Sequence, residues 1–166
     1  MRRWMAGAVA ALVLAGGMPD HAGAADAPGK RALPYYASIG AGQARMRTGP
    51  ARSYPASWLY RRVDLPVKVV AVFKEWRRVQ DPDGTEGWML AALLRDTRTA
   101  IVRGTEPAPM YARPSDGASI AWRAAPGVVG RLSACGGGWC RFDVKGQAGY
   151  VTVDRLWGVE PGERLP

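Results

Sequence analysis

Short runs of apolar residues, separated by turns rich in glycine and proline, recur along this chain between residues 35 and 158. The clearest run covers residues 65–73, where valine dominates, and a second run at residues 76–80 follows after two residues that can close a hairpin. The tetrapeptide Asp-Pro-Asp-Gly at residues 81–84 is a strong turn signal, because proline suits the second turn position and glycine the fourth. No convincing long stretch has the periodicity of an amphipathic helix. The pattern predicts an all-β chain of many short strands.

The regions between and around these runs have the composition of loops. Residues 40–54 are rich in glycine, arginine and serine, and they predict a long loop between a strand at residues 35–39 and a short aromatic run at residues 58–60. Residues 25–34 have the composition of a flexible linker. Residues 159–166 are expected to form a loose C-terminal tail.

One arrangement of tryptophan and glycine occurs twice. Trp76 is followed by the pair Gly87-Trp88, and Trp139 by the pair Gly149-Tyr150, so that the tryptophans are 63 residues apart and the glycine–aromatic pairs 62 apart. A period near 60 residues is too long for a solenoid repeat and suits a small domain duplicated in tandem. We therefore predict one domain at residues 35–95 and another at residues 96–158, each burying its own tryptophan.

The N-terminus has the pattern of an export signal at residues 1–24. Two arginines precede an apolar stretch at residues 5–18, and small residues at 22–24 suit a cleavage site before Ala25, with Asp26 as the alternative. The apolar stretch is shorter than the roughly 20 residues that a membrane span needs. We expect a periplasmic or secreted protein without stable membrane insertion after signal cleavage.

Residue types exclude several classes of enzyme from the exported chain. The only histidine, His21, lies within the predicted signal, so the remaining chain cannot hold a Ser-His-Asp or Cys-His site. Two cysteines without histidine cannot complete a tetrahedral zinc site. A hydrolase built only on carboxylates could use Asp81, Asp83 and Glu86, but the turn explains these residues sufficiently. We expect no catalytic activity, no cofactor and no metal.

The chain is basic, with a formal net charge of +9, and most of its cations are arginines. A GC-rich genome would produce the same bias without any function. The distribution is more informative, because residues 27–63 contain no aspartate or glutamate and create a local positive field. For an exported protein, the available anions are peptidoglycan carboxylates, lipid phosphates and acidic proteins, so we do not expect nucleic acid as the partner. The cations of this stretch are Lys30, Arg31, Arg45, Arg47, Arg52, Arg61 and Arg62.

The motifs together resemble the bacterial SH3-like (SH3b) family in its tandem exported form. In the first copy they are Arg-Thr-Gly-Pro at residues 47–50, Trp76-Arg77-Arg78-Val79, the turn at 81–84 and Gly87-Trp88; in the second they are Pro126-Gly127, Trp139-Cys140 and Gly149-Tyr150. The resemblance implies two small SH3-like β-barrels that recognise peptidoglycan or its peptides and catalyse nothing. The second copy departs from the pattern, with Ala-Arg-Pro at residues 112–114 and a tyrosine as its last aromatic residue.

Arginines interleaved with aromatic residues suggest a ligand site in the first copy. Arg47 and Arg52 could pair with a carboxylate, and nearby aromatic side chains could form an apolar wall. In SH3-like barrels, the aromatic residue after the glycine of the last long strand borders the ligand groove. The resemblance therefore adds Trp88 of the first copy and Tyr150 of the second to the predicted site. Alternatively, Trp58 closes the barrel and the arginines point to solvent. The predicted ligand-binding residues are Arg47, Arg52, Tyr54, Trp58, Trp88 and Tyr150.

Cys135 and Cys140 flank the four residues Gly-Gly-Gly-Trp. If these four residues form a hairpin loop, the cysteines lie opposite each other at a distance that a disulfide can bridge. Export would provide an oxidising compartment, so we predict a structural disulfide. A redox-active pair is the alternative, but the spacing is not Cys-x-x-Cys and no helix N-terminus lowers a thiol pKa.

Two functions remain open at this point. The first is a non-catalytic exported module that recognises peptidoglycan peptide or another cell-envelope ligand. The second is a periplasmic protein–protein adaptor without affinity for the cell wall, which would dock its partner in a groove or by strand addition.

Overall fold

The computed structural model describes residues 31–166, whose regular structure is β-strands apart from two short 3₁₀ helices, Ala91–Leu93 and Val153–Arg155. The predicted signal peptide and residues 25–30 of the predicted linker lie outside the described residues. Within residues 31–166, no helix is long and apolar enough to cross a membrane. The strands are β1 Tyr35–Ile39, β2 Ala44–Arg47, β3 Ala56–Tyr60, β4 Pro66–Phe73, β5 Trp76–Gln80, β6 Glu86–Leu90, β7 Leu94–Arg95, β8 Thr99–Val102, β9 Ala108–Tyr111, β10 Ile120–Ala124, β11 Val129–Gly136, β12 Trp139–Val144, β13 Gln147–Thr152 and β14 Leu156–Trp157.

The strands form two antiparallel sheets with the same topology. Strands β1–β7, the first domain, follow the order β3-β2-β6-β5-β4-β1-β7, and strands β8–β14, the second domain, follow the order β10-β9-β13-β12-β11-β8-β14. Each strand of one sheet therefore has a counterpart in the other. The chain is all-β with two tandem SH3-like domains, as the sequence predicts.

Each sheet encloses a separate hydrophobic core, because alternate residues of its strands point inward. Both cores contain methionine and valine. The fully buried residues of the first core include Ile39, Met46, Val67, Val69, Val79 and Met89. Those of the second include Ala100, Ala108, Met110, Cys140 and Phe142.

The two repeated tryptophans differ in burial. Trp76 is buried, with 3% of its surface exposed, as predicted. Trp139 is only half-buried, which differs from the prediction, and its ring lies edge-on to that of Tyr111 at 5.4 Å. In the sheets, Trp76 lies opposite Leu90, whereas Trp139 lies opposite the smaller Thr152.

Residues 40–54 are more ordered than their composition indicates. The sequence predicts one long loop there, but residues 44–47 form strand β2, which pairs with both β3 and β6. The inward residues Ala44 and Met46 are fully buried, so the strand contributes to the first core. Only the segments on either side of β2 are loops.

The prediction of a loose tail at residues 159–166 is wrong, because these residues pack on the second domain. Val159 is 6% exposed and belongs to the second core. The Leu165 N–H donates to the Cys135 carbonyl at 3.1 Å, and Glu163 accepts hydrogen bonds from the Arg98 guanidinium. Apolar burial and backbone hydrogen bonds order this segment, which we call the C-terminal clasp.

The clasp and the neighbouring strands also join the two domains. Glu160 of the clasp forms an ion pair with Lys68 of the first domain, with 2.6 Å between Oε1 and Nζ. Tyr36 of β1 meets Trp157 of β14 edge to face, with 5.2 Å between ring centroids. Ile101 of the second domain packs against the first core. Contacts of all three kinds hold the domains against each other.

The predicted disulfide is confirmed. Cys135 and Cys140 are bonded across the β11–β12 hairpin, with Cα atoms 4.1 Å apart, and both are buried. The bond closes a hairpin whose tip contains three consecutive glycines. Two of them, Gly137 and Gly138, have positive φ angles in the turn.

Protonation of Glu163 is expected to weaken the clasp. Burial alone would raise the pKa of Glu163, but hydrogen bonds from Arg98 and from the Glu160 N–H outweigh it and hold the pKa below its usual value of 4.5. A depressed pKa stabilises the folded state above the unfolded-state pKa, and this stabilisation is lost as the pH falls through the folded-state pKa. Between pH 6 and pH 3, the free energy of unfolding measured in urea should fall more in the wild type than in Glu163→Gln, by about 1 kcal/mol.

Glu106→Gln is the control for this pH dependence, because the Glu106 side chain is exposed. It should lose stability with pH to the same extent as the wild type. Equal pH dependence in Glu163→Gln and the wild type would contradict the role of Glu163.

Candidate functional site

A cleft of about 190 Å³ opens on the outer face of β2, β5 and β6 in the first domain. Three arginines surround an apolar floor, and no carboxylate lines it. We call it the arginine cleft. Its lining residues are Gln43, Arg45, Arg47, Arg52, Trp76, Leu90 and Leu93.

Strand alternation places two of these arginines on the same face. Ala44 and Met46 of β2 point into the core, so Arg45 and Arg47 point outward. Arg47 lies opposite Trp88 of β6 in the sheet. Its Nη1 donates a hydrogen bond to the Tyr54 carbonyl oxygen at 2.6 Å, which fixes the guanidinium at the rim of the cleft.

The loop after β2 brings Arg52 to the same cleft. The Tyr54 ring lies directly against the backbone of Gly49, where a Cβ atom would come within 2.5 Å of the ring. Only glycine permits this contact, so the loop folds back over itself between the two residues. This fold-back places Arg52 beside Arg45 and Arg47.

The charge of the arginine cleft is uncompensated. Within residues 31–166, none of its three arginines forms an ion pair with a carboxylate, whereas Arg31, Arg78, Arg95 and Arg98 each do. Three neighbouring guanidinium groups without a counter-charge create a positive potential that favours an anion. Arginine binds carboxylates through two parallel hydrogen bonds, so the cleft suits a carboxylate in particular.

The structure brings together only some of the predicted site residues. Arg47 and Arg52 line the cleft, and Tyr54 contacts Arg47. Trp88 is half-buried beside Arg47 but does not line the cleft. Tyr150 lies in the second domain, opposite Tyr111.

The prediction that Tyr54, Trp58 and Trp88 form the apolar wall needs correction. The apolar lining of the cleft consists of Trp76, Leu90 and Leu93 instead. Trp58 pairs with the inward-pointing Met46, so the alternation of β2 and β3 places it on the opposite face of the sheet from the arginines. It lies at the sheet edge, where 57% of its surface is exposed.

Five residues that line the cleft are not among the predicted site residues. Arg45 was not singled out because residues 40–54 were interpreted as a loop, and two arginines spaced i, i+2 share a face only on a strand. Trp76 was assigned to the core, and it is buried, but it also forms the floor of the cleft. Nothing in the sequence pattern indicates Gln43, Leu90 or Leu93.

The carboxylates considered for a minimal hydrolase have structural roles. Asp81 is 5% exposed, and its Oδ2 accepts a hydrogen bond from the Tyr60 hydroxyl at 2.7 Å. Its Oδ1 accepts hydrogen bonds from the N–H groups of Asp83 and Thr85 at 3.0 and 2.8 Å. Burial, together with the hydrogen bond to Asp81, raises the pKa of Tyr60. Glu86 is paired with Arg78 at 2.9 Å.

The family of the chain follows from its sequence match. Residues 40–96 and residues 104–158 each match the bacterial SH3 domain. The chain belongs to the bacterial SH3 domain family. The resemblance seen in the sequence is therefore confirmed for both copies.

Several solved structures share similarity with these bacterial SH3 domains. NlpC1 and NlpC2 from Trichomonas vaginalis are each 14% identical over 77% of this chain, with a TM-score of 0.35. An NlpC/P60 family protein from Bacillus cereus is 15% identical over 78% of this chain, with a TM-score of 0.34. This chain spans 47%, 49% and 57% of those three proteins. No curated protein matches it significantly.

The two bacterial SH3 domains differ at the arginine cleft. Arg47 pairs with Trp88 in the first domain, and Tyr111 pairs with Tyr150 at the matching point of the second. Tyr111 packs edge-on against Trp139, the counterpart of Trp76. An aromatic pair in the second domain thus occupies the place where the first domain has Arg47 opposite Trp88.

Proposed function

We propose that this protein is a non-catalytic binding module that recognises carboxylate groups of peptidoglycan peptides, or of another anionic envelope ligand, through the arginine cleft. The observation that carries the proposal is the difference between the duplicated domains. The sheet topology is the same in both, so folding does not require arginine at position 47, and the second domain has Tyr111 there. A cation at this position of the first domain alone favours a ligand over a structural role.

The chemistry of the cleft supports a peptide carboxylate. Arg45, Arg47 and Arg52 can each donate two hydrogen bonds to one carboxylate, and such charged pairs are about twice as strong as neutral ones. The apolar floor at Trp76 and Leu90 can contact the short aliphatic side chains of a peptide. An acid-free stretch of sequence around the cleft strengthens attraction of anions over a distance of about 10 Å.

Export forms part of the proposal. The N-terminal pattern at residues 1–24 would direct the protein to the periplasm or outside the cell, where peptidoglycan carboxylates are among the available anions. The absence of histidine after residue 21 supports binding without catalysis.

A sedimentation assay with purified peptidoglycan tests the proposal. Reversing the charge of two cleft residues, in Arg47→Glu/Arg52→Glu, should weaken retention by at least about tenfold, since it replaces attraction of a carboxylate by repulsion. The matched control is Arg113→Glu/Arg123→Glu, which makes the same change of net charge at two exposed arginines of the second domain. The control should be retained like the wild type.

Two outcomes would overturn the assigned site. Equal retention of the wild type and the cleft variant would exclude the arginine cleft. Equal loss in the cleft variant and the control would show that net charge alone causes retention.

One specific observation favours the adaptor function. The edge strand β3 presents Trp58 with 57% of its surface exposed, whereas its counterpart Trp122 packs against the second core and donates a hydrogen bond to the Ala148 carbonyl at 3.0 Å. An exposed edge strand with an aromatic residue suits strand addition by a protein partner. Crosslinking from position 58 to one envelope protein, without retention on peptidoglycan, would favour this function.

A further inference from the structure

A larger cleft, with a volume of about 430 Å³, lies where the two domains meet. This volume falls within the range of about 300–1,000 Å³ that is usual for small-ligand sites, and such sites occur preferentially between domains. We call it the inter-domain cleft. Its lining residues are Arg62, Val63, Asp64, Val129, Gly130, Arg131, Asp143, Val144, Lys145 and Gly146.

The inter-domain cleft contains charges of both signs that do not neutralise each other. Arg131 and Asp143 are directly opposite on β11 and β12, so their side chains share a face. Within the described part of the chain, the two nevertheless form no ion pair. One oxygen of Asp143 accepts a hydrogen bond from the Gly146 N–H at 2.9 Å, which holds the carboxylate in place.

The first domain provides an internal comparison. Lys68, the counterpart of Arg131, pairs with the clasp residue Glu160 at 2.6 Å. The cation at this sheet position is thus neutralised within the protein in one domain. In the other domain, Arg131 lines an open cleft instead.

The opposite wall of the cleft is fixed by contacts across the domains. Arg62 Nη2 donates a hydrogen bond to the Gly127 carbonyl of the second domain at 2.8 Å. Asp64 has a left-handed backbone with a φ of 67°, and its Oδ1 lies 3.4 Å from Arg95 Nη2. Aspartate adopts this conformation readily, so the hydrogen bond of Arg62 and the ion pair of Asp64 are what hold this wall in place.

Apolar side chains line the cleft together with the charged groups. They are Val63, Val129 and Val144, and Val63 is 42% exposed. A complementary ligand therefore carries a positive group, a negative group and a short aliphatic segment. The arginine cleft, which no carboxylate lines, would accept only the negative group.

We infer that the inter-domain cleft is a second binding site, which takes a short peptide with a free amine and a free carboxylate. The amine faces Asp143, the carboxylate faces the cations, and the aliphatic part contacts the valines. This inference does not depend on the arginine cleft or on peptidoglycan.

Nuclear magnetic resonance titration of the whole protein with the tripeptide Ala-Val-Ala tests the inference. With both termini free, the peptide should shift the backbone amide signals of residues 62–64, 129–131 and 143–146. Acetylation of the amine or amidation of the carboxylate should each weaken binding by about tenfold, since each removes one charge-assisted contact. Arg131→Gln should weaken binding of the free peptide similarly, and Arg141→Gln, on the same sheet but outside the cleft, should not.

The wild-type titration keeps the test independent of how the variants fold. Absence of shifts at millimolar peptide, shifts confined to other residues, or equal binding of the doubly blocked peptide would each overturn the inference. Unchanged binding in Arg47→Glu/Arg52→Glu would show that the inter-domain cleft binds without the arginine cleft.

Discussion

Replacing Asp81 with alanine should lower the free energy of unfolding by about 3–4 kcal/mol, because the change leaves buried donors without an acceptor. Asp81 is 5% exposed and accepts three hydrogen bonds, one from the Tyr60 hydroxyl and two from backbone N–H groups. These bonds tie strand β3 to the turn between β5 and β6. Urea unfolding followed by tryptophan fluorescence measures the change.

Asp83→Ala is the matched control for Asp81→Ala. Asp83 belongs to the same turn but has an exposed side chain, so its replacement should change stability by less than about 1 kcal/mol. Equal stability of the two variants would refute the structural role of Asp81. The free energy of unfolding of Tyr60→Phe should lie between those of the two variants, because this change removes one of the three hydrogen bonds and leaves the turn intact.

Replacing Gly158 with alanine should cost at least about 3 kcal/mol, because both backbone conformation and space exclude a side chain. Gly158 has a φ of +119°, and a Cβ atom there would lie 2.5 Å from the Thr99 carbonyl oxygen and 2.9 Å from the Ala100 Cα. These neighbours are backbone atoms of β8 and cannot rotate away. Thermal unfolding should show a lower midpoint.

The same substitution should also loosen the C-terminal clasp. Arg98 Nη2 donates a hydrogen bond to the Gly158 carbonyl at 2.8 Å, so displacement of residue 158 moves the partner of Glu163 as well. Hydrogen exchange of the Leu165 amide, which donates to the Cys135 carbonyl, should become faster.

Gly162→Ala is the control for Gly158→Ala. Gly162 also has a positive φ, of +80°, but a Cβ atom there would meet nothing within 4 Å. Its replacement should therefore cost only about 1 kcal/mol, from backbone strain alone. A midpoint for Gly158→Ala as high as that for Gly162→Ala would show that β8 can move aside.

Part of the fold and part of the candidate site can be predicted from the sequence. The duplicated tryptophans and glycine–aromatic pairs predicted two domains of one topology, and the strand orders of the two sheets agree. The sequence predicts that Arg47 and Arg52 bind the same carboxylate, and the two residues line one cleft. The sequence also predicts Trp58 in this site, but the composition of residues 40–54 gives no sign of strand β2. Only the alternation of that strand shows that Trp58 and the arginines lie on opposite faces of the sheet.

The C-terminal clasp shows a second feature that the sequence does not predict. Residues 159–166 contain proline, glycine and charged residues, which are typical of a mobile tail. They are ordered because Val159 enters the second core and Glu163 meets Arg98, a residue 65 positions earlier in the chain. Contacts over such a separation depend on the folded sheet and leave no local pattern in the sequence.

By itself, the sequence determined the all-β class, the tandem duplication, the disulfide between Cys135 and Cys140 and the excess of arginine around the first domain. Each of these follows from local spacing or from residue type. Only the tertiary structure decided which face each side chain occupies, that the cation at position 68 is neutralised while Arg131 lines an open cleft, and that the two domains enclose that cleft. Such features depend on strand register and on contacts between distant residues, which local patterns do not specify.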